Sequence, residues 1–237
     1  MTWQDRLTVV LVEPRNPLNI GAAARAMLNF GFSRLALVAP YEVAFREARS
    51  AVGAKTILDR AQVTGSLDDA VSEATLVVGT GTQQGRVRRQ PRRLLPESAA
   101  SLRAHLERGR AALLFGSEKF GLSNEHLSRC HWILQIPTNP HCPSMNLGQA
   151  VALCCWELAR EATRPASRGA RSLPPAGQLD RIVERLTTLL GASGYLNPRT
   201  RASNLLKIQR LVRRLELSPA DAQVIEGMLR QMAWKWG

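Results

Sequence analysis

The chain has 237 residues, of which 45% are hydrophobic and 22% are charged. This composition excludes an intrinsically disordered chain, and the length permits either one large domain or one domain with a small appendage. No apolar run approaches the roughly 20 residues that cross a bilayer, and the N-terminal segment lacks the pattern of a secretory signal. We therefore expect a cytoplasmic protein without a membrane segment.

The charge of the chain is strongly positive. Lys and Arg number 32 against 19 Asp and Glu, which gives a formal net charge of +13. Such an excess favours a polyanionic partner, because basic surfaces displace counterions from phosphate backbones. Arginine supplies almost all of it and suits bidentate phosphate contact. The alternative explanation is a genome whose composition favours arginine codons, and we consider nucleic-acid binding the better of the two.

Short apolar runs alternate with helical segments over the first two thirds of the chain. The runs predict strands, and the segments between them predict helices with Asn19 and Ser66 as N-caps and Gly31 as a helix stop. The predicted strands cover residues 7–12, 34–38, 75–79, 111–115 and 132–136, and the predicted helices cover 20–30, 66–74, 96–109 and 145–162. A short helix from Ser123 is expected to have only a partial cap, because His126 stands where a capping box has Glu or Gln. This alternation predicts an α/β domain with a mostly parallel sheet, whose ligand lies in the loops after the strands.

The last third of the chain has a different character. Residues 164–177 are rich in Pro, Arg, Ser and Gly without apolar periodicity, which is typical of a linker. Three segments with helical spacing follow, the last beginning at Ser218-Pro219. The predicted organisation is therefore a domain at 1–163, a linker at 164–177 and a small all-α domain at 178–237.

Two loops after predicted strands could bind a phosphate-rich ligand. Gly79, Gly81 and Gly85 follow one strand, but their spacing is not that of a dinucleotide-binding fingerprint, and a plain turn is an equally good interpretation. An arginine run comes directly after them. We interpret it as an RNA-binding surface rather than a merely solvated face, and it contains Arg86, Arg88, Arg89, Arg92 and Arg93.

The loops after the last two strands of the sheet carry further candidates. Glu118 lies between two glycines and could be a general base, a ligand clamp or a loop-stabilising acceptor. Ser144 and Asn146 supply polar groups at a helix start, and His141 is a weak catalytic candidate. The spacing of Cys130, His131, His141 and Cys142 argues against a zinc site, so we expect no metal.

Three segments in these loops together resemble the sequence motifs of the TrmH/TrmJ group of SPOUT RNA methyltransferases. They read NIGAAARAM, LLFGSEKFGLSNE and IPTNPHCPSMNLGQAVAL, in the family's order, and the resemblance covers most of residues 7–160. The form of the third motif and the short helical C-terminal region are most similar to the TrmJ type. The resemblance implies a deep trefoil-knotted α/β fold, a homodimer and S-adenosylmethionine as methyl donor.

The resemblance also assigns roles to residues. It implies catalytic positions at Arg25, Asn19, Glu118, Ser144 and Asn146. It implies cofactor contacts at Thr80, Gly81, Thr82, Gly116, Ile136, Pro143, Ser144 and Met145, the last replacing the family's usual Leu. Because the guanidinium pKa lies above about 12, we interpret Arg25 as a phosphate clamp rather than a literal base.

The function that we expect is methylation of a tRNA ribose 2′-hydroxyl, at the cytidine or uridine that opens the anticodon loop. The alternatives are an rRNA 2′-O-methyltransferase of the same fold, a catalytically silent RNA-binding homologue, and an NAD(P)-dependent oxidoreductase, which would need a conventional glycine fingerprint. We further expect the RNA surface to include five arginines of the C-terminal helices, namely Arg199, Arg201, Arg210, Arg213 and Arg214.

Overall fold

The computed structural model describes residues 2–49, 53–82, 90–160, 172–197 and 199–236. A short 3-10 helix at Trp3–Arg6 precedes the first strand. The strands are β1 Leu7–Val12, β2 Arg34–Val38, β3 Gln62–Thr64, β4 Leu76–Thr80, β5 Arg92–Leu94, β6 Ala111–Phe115 and β7 Trp132–Gln135. The helices are α1 Pro17–Asn29, α2 Glu42–Arg49, α3 Lys55–Asp59, α4 Leu67–Val71, α5 Leu95–Leu106, α6 Asn124–Ser128, α7 Leu147–Ala159, α8 Ala176–Ala192, α9 Arg201–Arg214 and α10 Pro219–Trp236.

The strands form one sheet in the order β3-β2-β1-β6-β4-β7-β5, and all of its pairings are parallel. The predicted α/β class with a mostly parallel sheet is confirmed. All five predicted strands are present, with bounds that differ by no more than one residue. The sequence reading missed β3 and β5, which have three residues each and the polar sequences QVT and RRL. It also missed α2 and α3.

Both faces of the sheet are covered, which explains why its central strands are uninterrupted apolar runs. On one face Leu7, Val9 and Leu11 pack into a core with side chains of α1, α5 and α7. On the other face Val10 and Val12 pack with side chains of α4 and with Ile133 of β7. Each of these five β1 residues is at most 1% exposed. The sheet is therefore the rigid platform from which the loops project.

The helix that follows β1 begins earlier than its sequence suggested. Its N-cap is Asn16, whose side chain accepts a hydrogen bond from the Leu18 amide, and Pro17 is the first helical residue. The prediction of Asn19 as N-cap is wrong, since Asn19 lies inside the helix and is 9% exposed. The predicted stop at Gly31 is confirmed by its φ of 80°. The paired bonds there are those of a Schellman motif, with Gly31 donating to Leu28 O and Phe32 donating to Met27 O.

Two other helix starts can be compared with their predictions. The Ser66 cap of α4 is present and accepts a hydrogen bond from the Asp69 amide. The cap of α6 is complete rather than partial. The Ser123 hydroxyl accepts from the His126 amide, and His126 Nδ1 accepts from the Ser123 amide at 3.2 Å. The imidazole nitrogen thus performs the reciprocal function that a capping box assigns to Glu or Gln.

The three C-terminal helices share a small core of their own, which includes Leu179, Ile182 and Val212. The first of them, α8, begins at Ala176, two residues before the expected boundary, and the Ala176 amide donates to the carbonyl of Ala74. Residues 164–171 of the expected linker lie outside the described residues. Among the described residues, no helix is long and apolar enough to cross a membrane.

Arg213 is an internal residue of this region. Its side chain is 2% exposed, and its guanidinium donates to Asp180 Oδ1 at 2.6 Å and to Ala176 O at 3.1 Å. The expectation that Arg213 belongs to the RNA surface is therefore wrong. It fails because α9 turns this arginine toward an acidic side chain of α8.

Candidate active site

One cavity of about 400 Å³ lies at the carboxyl ends of three adjacent strands, β6, β4 and β7. Loops that follow parallel strands meet at this edge, where ligands of open α/β sheets bind. The volume lies within the range of small-molecule sites, roughly 300 to 1,000 Å³. All the positions that the resemblance assigned to the cofactor line it, namely Thr80, Gly81, Thr82, Gly116, Ile136, Pro143, Ser144 and Met145.

Glycines shape the loops around this cavity. A Cβ atom on Gly116 would lie 2.0 Å from the Gly121 carbonyl carbon and 2.1 Å from the Leu122 nitrogen, so the two stretches of backbone touch only because residue 116 has no side chain. Gly121 has a φ of 62°, and its amide donates to the Ser117 carbonyl to close a tight turn. This turn sets the position of Glu118.

Glu118 is the centre of a polar network that joins three loops. Its Oε1 accepts hydrogen bonds from Asn19 Nδ2 and from the Asn16 amide, both at 3.1 Å, and its Oε2 accepts from the Arg15 amide at 3.2 Å. Asn146 Nδ2 in turn donates to Asn19 Oδ1 at 2.8 Å. Asn146 also caps α7, because its Oδ1 accepts a hydrogen bond from the Gln149 amide. We call Asn19, Glu118 and Asn146 the loop-anchoring triad.

The electrostatics of Glu118 favour a positioning function. Burial raises the pKa of this carboxyl, but hydrogen bonds from Asn19 and from backbone amides, including those of Arg15 and Asn16, outweigh burial and lower the pKa below its ordinary value. A carboxylate with a lowered pKa and several donors around it is a weak base near neutral pH. Of the three interpretations that the sequence left open, the geometry fits the loop-stabilising acceptor.

Ser144 lies in the third loop, at the cavity wall and exposed to solvent. The loop is held by the Thr138 hydroxyl, which donates to Pro143 O at 3.2 Å. On the neighbouring strand the Thr80 hydroxyl donates to Leu114 O, and the Gly81 amide donates to Leu134 O. These bonds fix main-chain groups around the cavity, so that ligand recognition can use the backbone.

Arg25 is not part of the cavity wall. It is exposed on α1, on a different side from Asn19, which does line the cavity. Its guanidinium packs against the main chain at Gly53, where a Cβ atom would lie 2.0 Å from Arg25 Nη1. The structure therefore unites four of the five predicted catalytic residues and leaves the fifth outside.

Part of the predicted arginine surface belongs to the described residues. Arg86, Arg88 and Arg89 lie outside the described residues. Arg92 lies at the cavity wall. Arg93 stacks on the Trp132 ring, with Cζ 4.9 Å from the centroid, and pairs with Glu216 at 3.8 Å. Arg199, Arg201 and Arg214 are exposed, as expected for an RNA surface.

The sequence does not predict two further residues of the cavity wall, and it places one of them, Arg210, on the RNA surface. That expectation is wrong, because Arg210 is only 5% exposed and lines the cavity. Gln90 lies just before β5, and Arg210 belongs to α9, about 120 residues later in the chain. Both reach the cavity through tertiary packing, which no local pattern reports. Cys130 and His131 are buried, and the described residues contain no group of three or more His, Cys, Asp or Glu side chains placed to hold a metal ion.

Comparison with known proteins agrees with the resemblance carried by the three sequence motifs. Residues 6–156 match the model of the SpoU rRNA methylase family. The tRNA (cytidine/uridine/adenosine-2′-O-)-methyltransferase TrmJ of Pseudomonas aeruginosa is 35% identical over 243 residues, covering 96% of this chain and 93% of that protein.

Solved structures extend the likeness to the fold. TrmJ from Z. mobilis ZM4 superposes with a TM-score of 0.84 at 28% identity, covering 95% of this chain and 98% of that one. The SpoU methyltransferase AviRb from Streptomyces viridochromogenes, in complex with the cofactor AdoMet, shares the fold with a TM-score of 0.50 at 21% identity, over 65% of this chain and 60% of that one. On the family match and the near full-length similarity to a curated relative, the chain belongs to the SpoU rRNA methylase family.

Proposed function

We propose that this chain is an S-adenosylmethionine-dependent tRNA 2′-O-ribose methyltransferase of the TrmJ type, and that it acts on the pyrimidine nucleotide at the start of the anticodon loop. The observation that carries the proposal is the convergence of three separated motifs on one cavity. Eight cofactor positions and the loop-anchoring triad meet there, at the carboxyl ends of adjacent strands. Full-length similarity to a tRNA methyltransferase supports tRNA as the substrate class.

The residues of the cavity fit S-adenosylmethionine. Apolar side chains such as Leu134, Ile136 and Met145 can pack on an adenine ring, and the loops at Gly81 and Gly116 bring main-chain groups close to a ligand. An added Cβ at Gly81 would lie 3.2 Å from Ile133 Cγ2, so the approach there is already tight. The cofactor supplies a methyl group bound to a positively charged sulfur, and its use is a trait of the family.

The protein's own contribution to catalysis is orientation. The loop-anchoring triad holds the three loops in one arrangement, so that the acceptor ribose meets a preorganised site. Arg25 grips the phosphate beside that ribose and stabilises the negative charge that develops on the 2′-oxygen as its proton leaves. Water or the substrate phosphate accepts this proton, because a guanidinium cannot serve as base near neutral pH.

The exposed apolar side chains of α1 and α7 support a homodimer. Leu18 and Leu28 of α1 are 80% and 47% exposed, and Trp156 of α7 is 45% exposed. Exposed apolar side chains on two helices that pack together are typical of an interface. Arg25 lies on the same side of α1 as Leu18, so it would enter the interface and act on a site that needs both subunits.

Several finer features belong to this proposal. The trefoil knot of the family is supported by the insertion of β7 between β4 and β5 and by the packing of α7 against α1. The division at residues 164–177 into a methyltransferase domain and an all-α domain, and a cytoplasmic location, complete it. The RNA surface comprises the arginine run of residues 86–93 and the exposed arginines of the C-terminal helices.

Methyl transfer tests the function directly. Purified protein is incubated with labelled S-adenosylmethionine and either tRNA or rRNA fragments, and we expect label in tRNA alone. Replacement of the target nucleotide by its 2′-deoxy form should abolish incorporation, and persistent labelling would refute ribose methylation. Label in rRNA alone would favour the alternative substrate, and binding of both ligands without transfer would identify a silent homologue.

The clamp function of Arg25 has its own test. Arg25→Lys keeps the charge but loses the planar fork that grips a phosphate through two donors. We expect turnover to fall at least about tenfold, since a charge-assisted bond contributes about 1.5–3 kcal/mol. Cofactor affinity should be unchanged, because Arg25 does not line this chain's cavity. Near-normal turnover would contradict the clamp.

The RNA surface can be tested by its salt dependence. Neutralising Arg199, Arg201 and Arg214 together should weaken tRNA binding and flatten the slope of affinity against salt concentration, since each phosphate contact contributes to that slope. Cofactor affinity should not change. A slope equal to that of the unmodified protein would exclude these arginines from the surface.

A further inference from the structure

The C-terminal helices contribute to the cofactor cavity itself. Arg210 of α9 lines the cavity and is only 5% exposed, and its Nη2 donates to the Asn124 carbonyl at 3.4 Å. The adjacent residue, Gln209, accepts a hydrogen bond from the Ser128 hydroxyl at 2.7 Å. These contacts attach α9 to both ends of α6 and fix the arginine at one end of the cavity.

Arg210 differs from the other cations of the cavity wall. Of the described residues that line the cavity, Arg92 is half-buried, Lys119 is exposed, and Arg210 alone is a buried cation. A guanidinium has five N–H donors, so one that lines an enclosed cavity can donate to an anionic group of a ligand bound there. An RNA phosphate approaches from the surface, whereas a small-molecule carboxylate can enter the cavity.

An unsatisfied acceptor belongs to another residue that lines this cavity, Gln90. Gln90 Nε2 donates to the Cys130 carbonyl at 2.8 Å, which fixes the side chain. Its Oε1 is buried and has no hydrogen-bond partner. Buried polar atoms without partners are rare, and one that lines a cavity is suited to a ligand that donates a hydrogen bond.

A buried guanidinium and a free amide oxygen together complement an α-amino acid group, which carries one carboxylate and one ammonium. We propose that Arg210 and Gln90 form the subsite for the amino-acid end of the methyl donor, with Arg210 binding the carboxylate and Gln90 Oε1 accepting from the ammonium. The inference rests on the proposed function, since it assumes that the cavity holds this cofactor. It makes the C-terminal helices part of the cofactor site rather than only an RNA-binding appendage.

Two ligands that differ only at this end provide the test. S-adenosylhomocysteine has the amino-acid group, and 5′-methylthioadenosine lacks it. Titration calorimetry of the full chain should show that Arg210→Met weakens S-adenosylhomocysteine binding about 10- to 100-fold, the range expected for a charge-assisted contact, and leaves 5′-methylthioadenosine binding within about twofold. Arg210→Lys should recover part of the loss.

The matched control is Lys207→Met, which changes an exposed cation of the same helix and should leave both affinities unchanged. Unchanged S-adenosylhomocysteine binding in Arg210→Met would overturn the inference, as would equal losses for both ligands. Weaker binding of a tRNA fragment with normal S-adenosylhomocysteine binding would overturn it in favour of a phosphate contact. If the unmodified chain binds no S-adenosylhomocysteine, the proposed function itself fails, so the two failures are distinguishable.

Discussion

The sheet region and the C-terminal helices bury apolar surface in different ways. Strands β1 and β6 consist almost entirely of side chains that water does not reach. In α9 and α10, by contrast, Leu211, Val224 and Met228 are 48%, 57% and 57% exposed. The helices are joined to the rest of the chain by polar contacts such as the Ala176–Ala74 and Gln209–Ser128 hydrogen bonds. The sheet therefore supplies rigidity through its buried apolar side chains, whereas the C-terminal helices depend on specific polar contacts for their position on the rest of the chain.

The largest expected effect is that of a methyl group at Gly116. Gly116→Ala forces Cβ to 2.0 Å from the backbone of Gly121, so the loop must move. We expect a loss of more than about 4 kcal/mol in the free energy of unfolding, together with loss of S-adenosylhomocysteine binding. Urea unfolding and calorimetry measure the two effects.

The control for this variant lies in the helical region. Gly191→Ala adds a Cβ with no atom within 4 Å, inside α8. It should be neutral or stabilise by up to about 1 kcal/mol, because alanine favours the helix. Normal S-adenosylhomocysteine binding by Gly116→Ala would contradict the importance of the close backbone contact between Gly116 and Gly121.

The second effect concerns the buried ion pair of the helices. Arg213→Met leaves Asp180 without its guanidinium partner, and loss of one member of a buried pair costs about 3–5 kcal/mol. We expect amide hydrogen exchange to accelerate in α8–α10 while β1 and β6 stay protected. Arg214→Met is the control and should change stability by less than about 0.5 kcal/mol. Equal acceleration in the sheet would mean that the two regions unfold as one unit.

A smaller loss of stability is expected when the loop-anchoring triad is altered. Glu118→Gln replaces an acceptor oxygen by an NH₂ group that faces the backbone amides of Arg15 and Asn16. The expected destabilisation is about 1–3 kcal/mol, with weaker S-adenosylhomocysteine binding. Glu125→Gln removes only a surface pair with Arg129 at 3.5 Å and should have almost no effect. Equal effects of the two substitutions would show that the triad has no special importance.

The mildest test is acidification. Burial lowers the pKa of His131 to about 3, so its ring stays neutral in the fold while the unfolded chain takes up a proton below about 6.5. The unfolded state therefore binds more protons, and stability falls as pH decreases from about 6.5 toward 3, by up to about 1.4 kcal/mol per pH unit. His131→Asn should flatten this dependence in urea unfolding at pH 7, 6 and 5. If stability changes with pH equally in His131→Asn and in the unmodified protein, His131 is not the source of this pH dependence.

How far the sequence predicts this molecule depends on the range of the interactions involved. Buried strands such as β1 and β6 are visible as apolar runs, because both faces of a parallel sheet are covered. The short polar strand β5 is not visible, since its pairing with β7 depends on tertiary position. The cap of α1 was assigned to Asn19 although Pro17, typical of a first helical residue, marks Asn16 as the cap.

The site shows the same division. The motif positions could be carried over because the resemblance is local, and they meet in the cavity. The place of Gln90 and Arg210 in the cavity wall could not be predicted, because tertiary packing creates it. Gln90 is held by its hydrogen bond to the Cys130 carbonyl, and docking of α9 on α6 positions Arg210. Arg213 could not be distinguished from its exposed neighbour Arg214, since only the location of Asp180 separates a buried ion pair from a solvated arginine.

The contacts of Glu118 with main-chain amides at positions 15 and 16 have a consequence for how such enzymes diversify. An amide proton is the same whatever side chain the residue carries, so the scaffold of the loop does not depend on the identity of residue 15. The exposed Arg15 side chain can therefore be exchanged for another without disturbing the framework beneath it. The side chain at this position can drift while the architecture of the pocket is inherited intact.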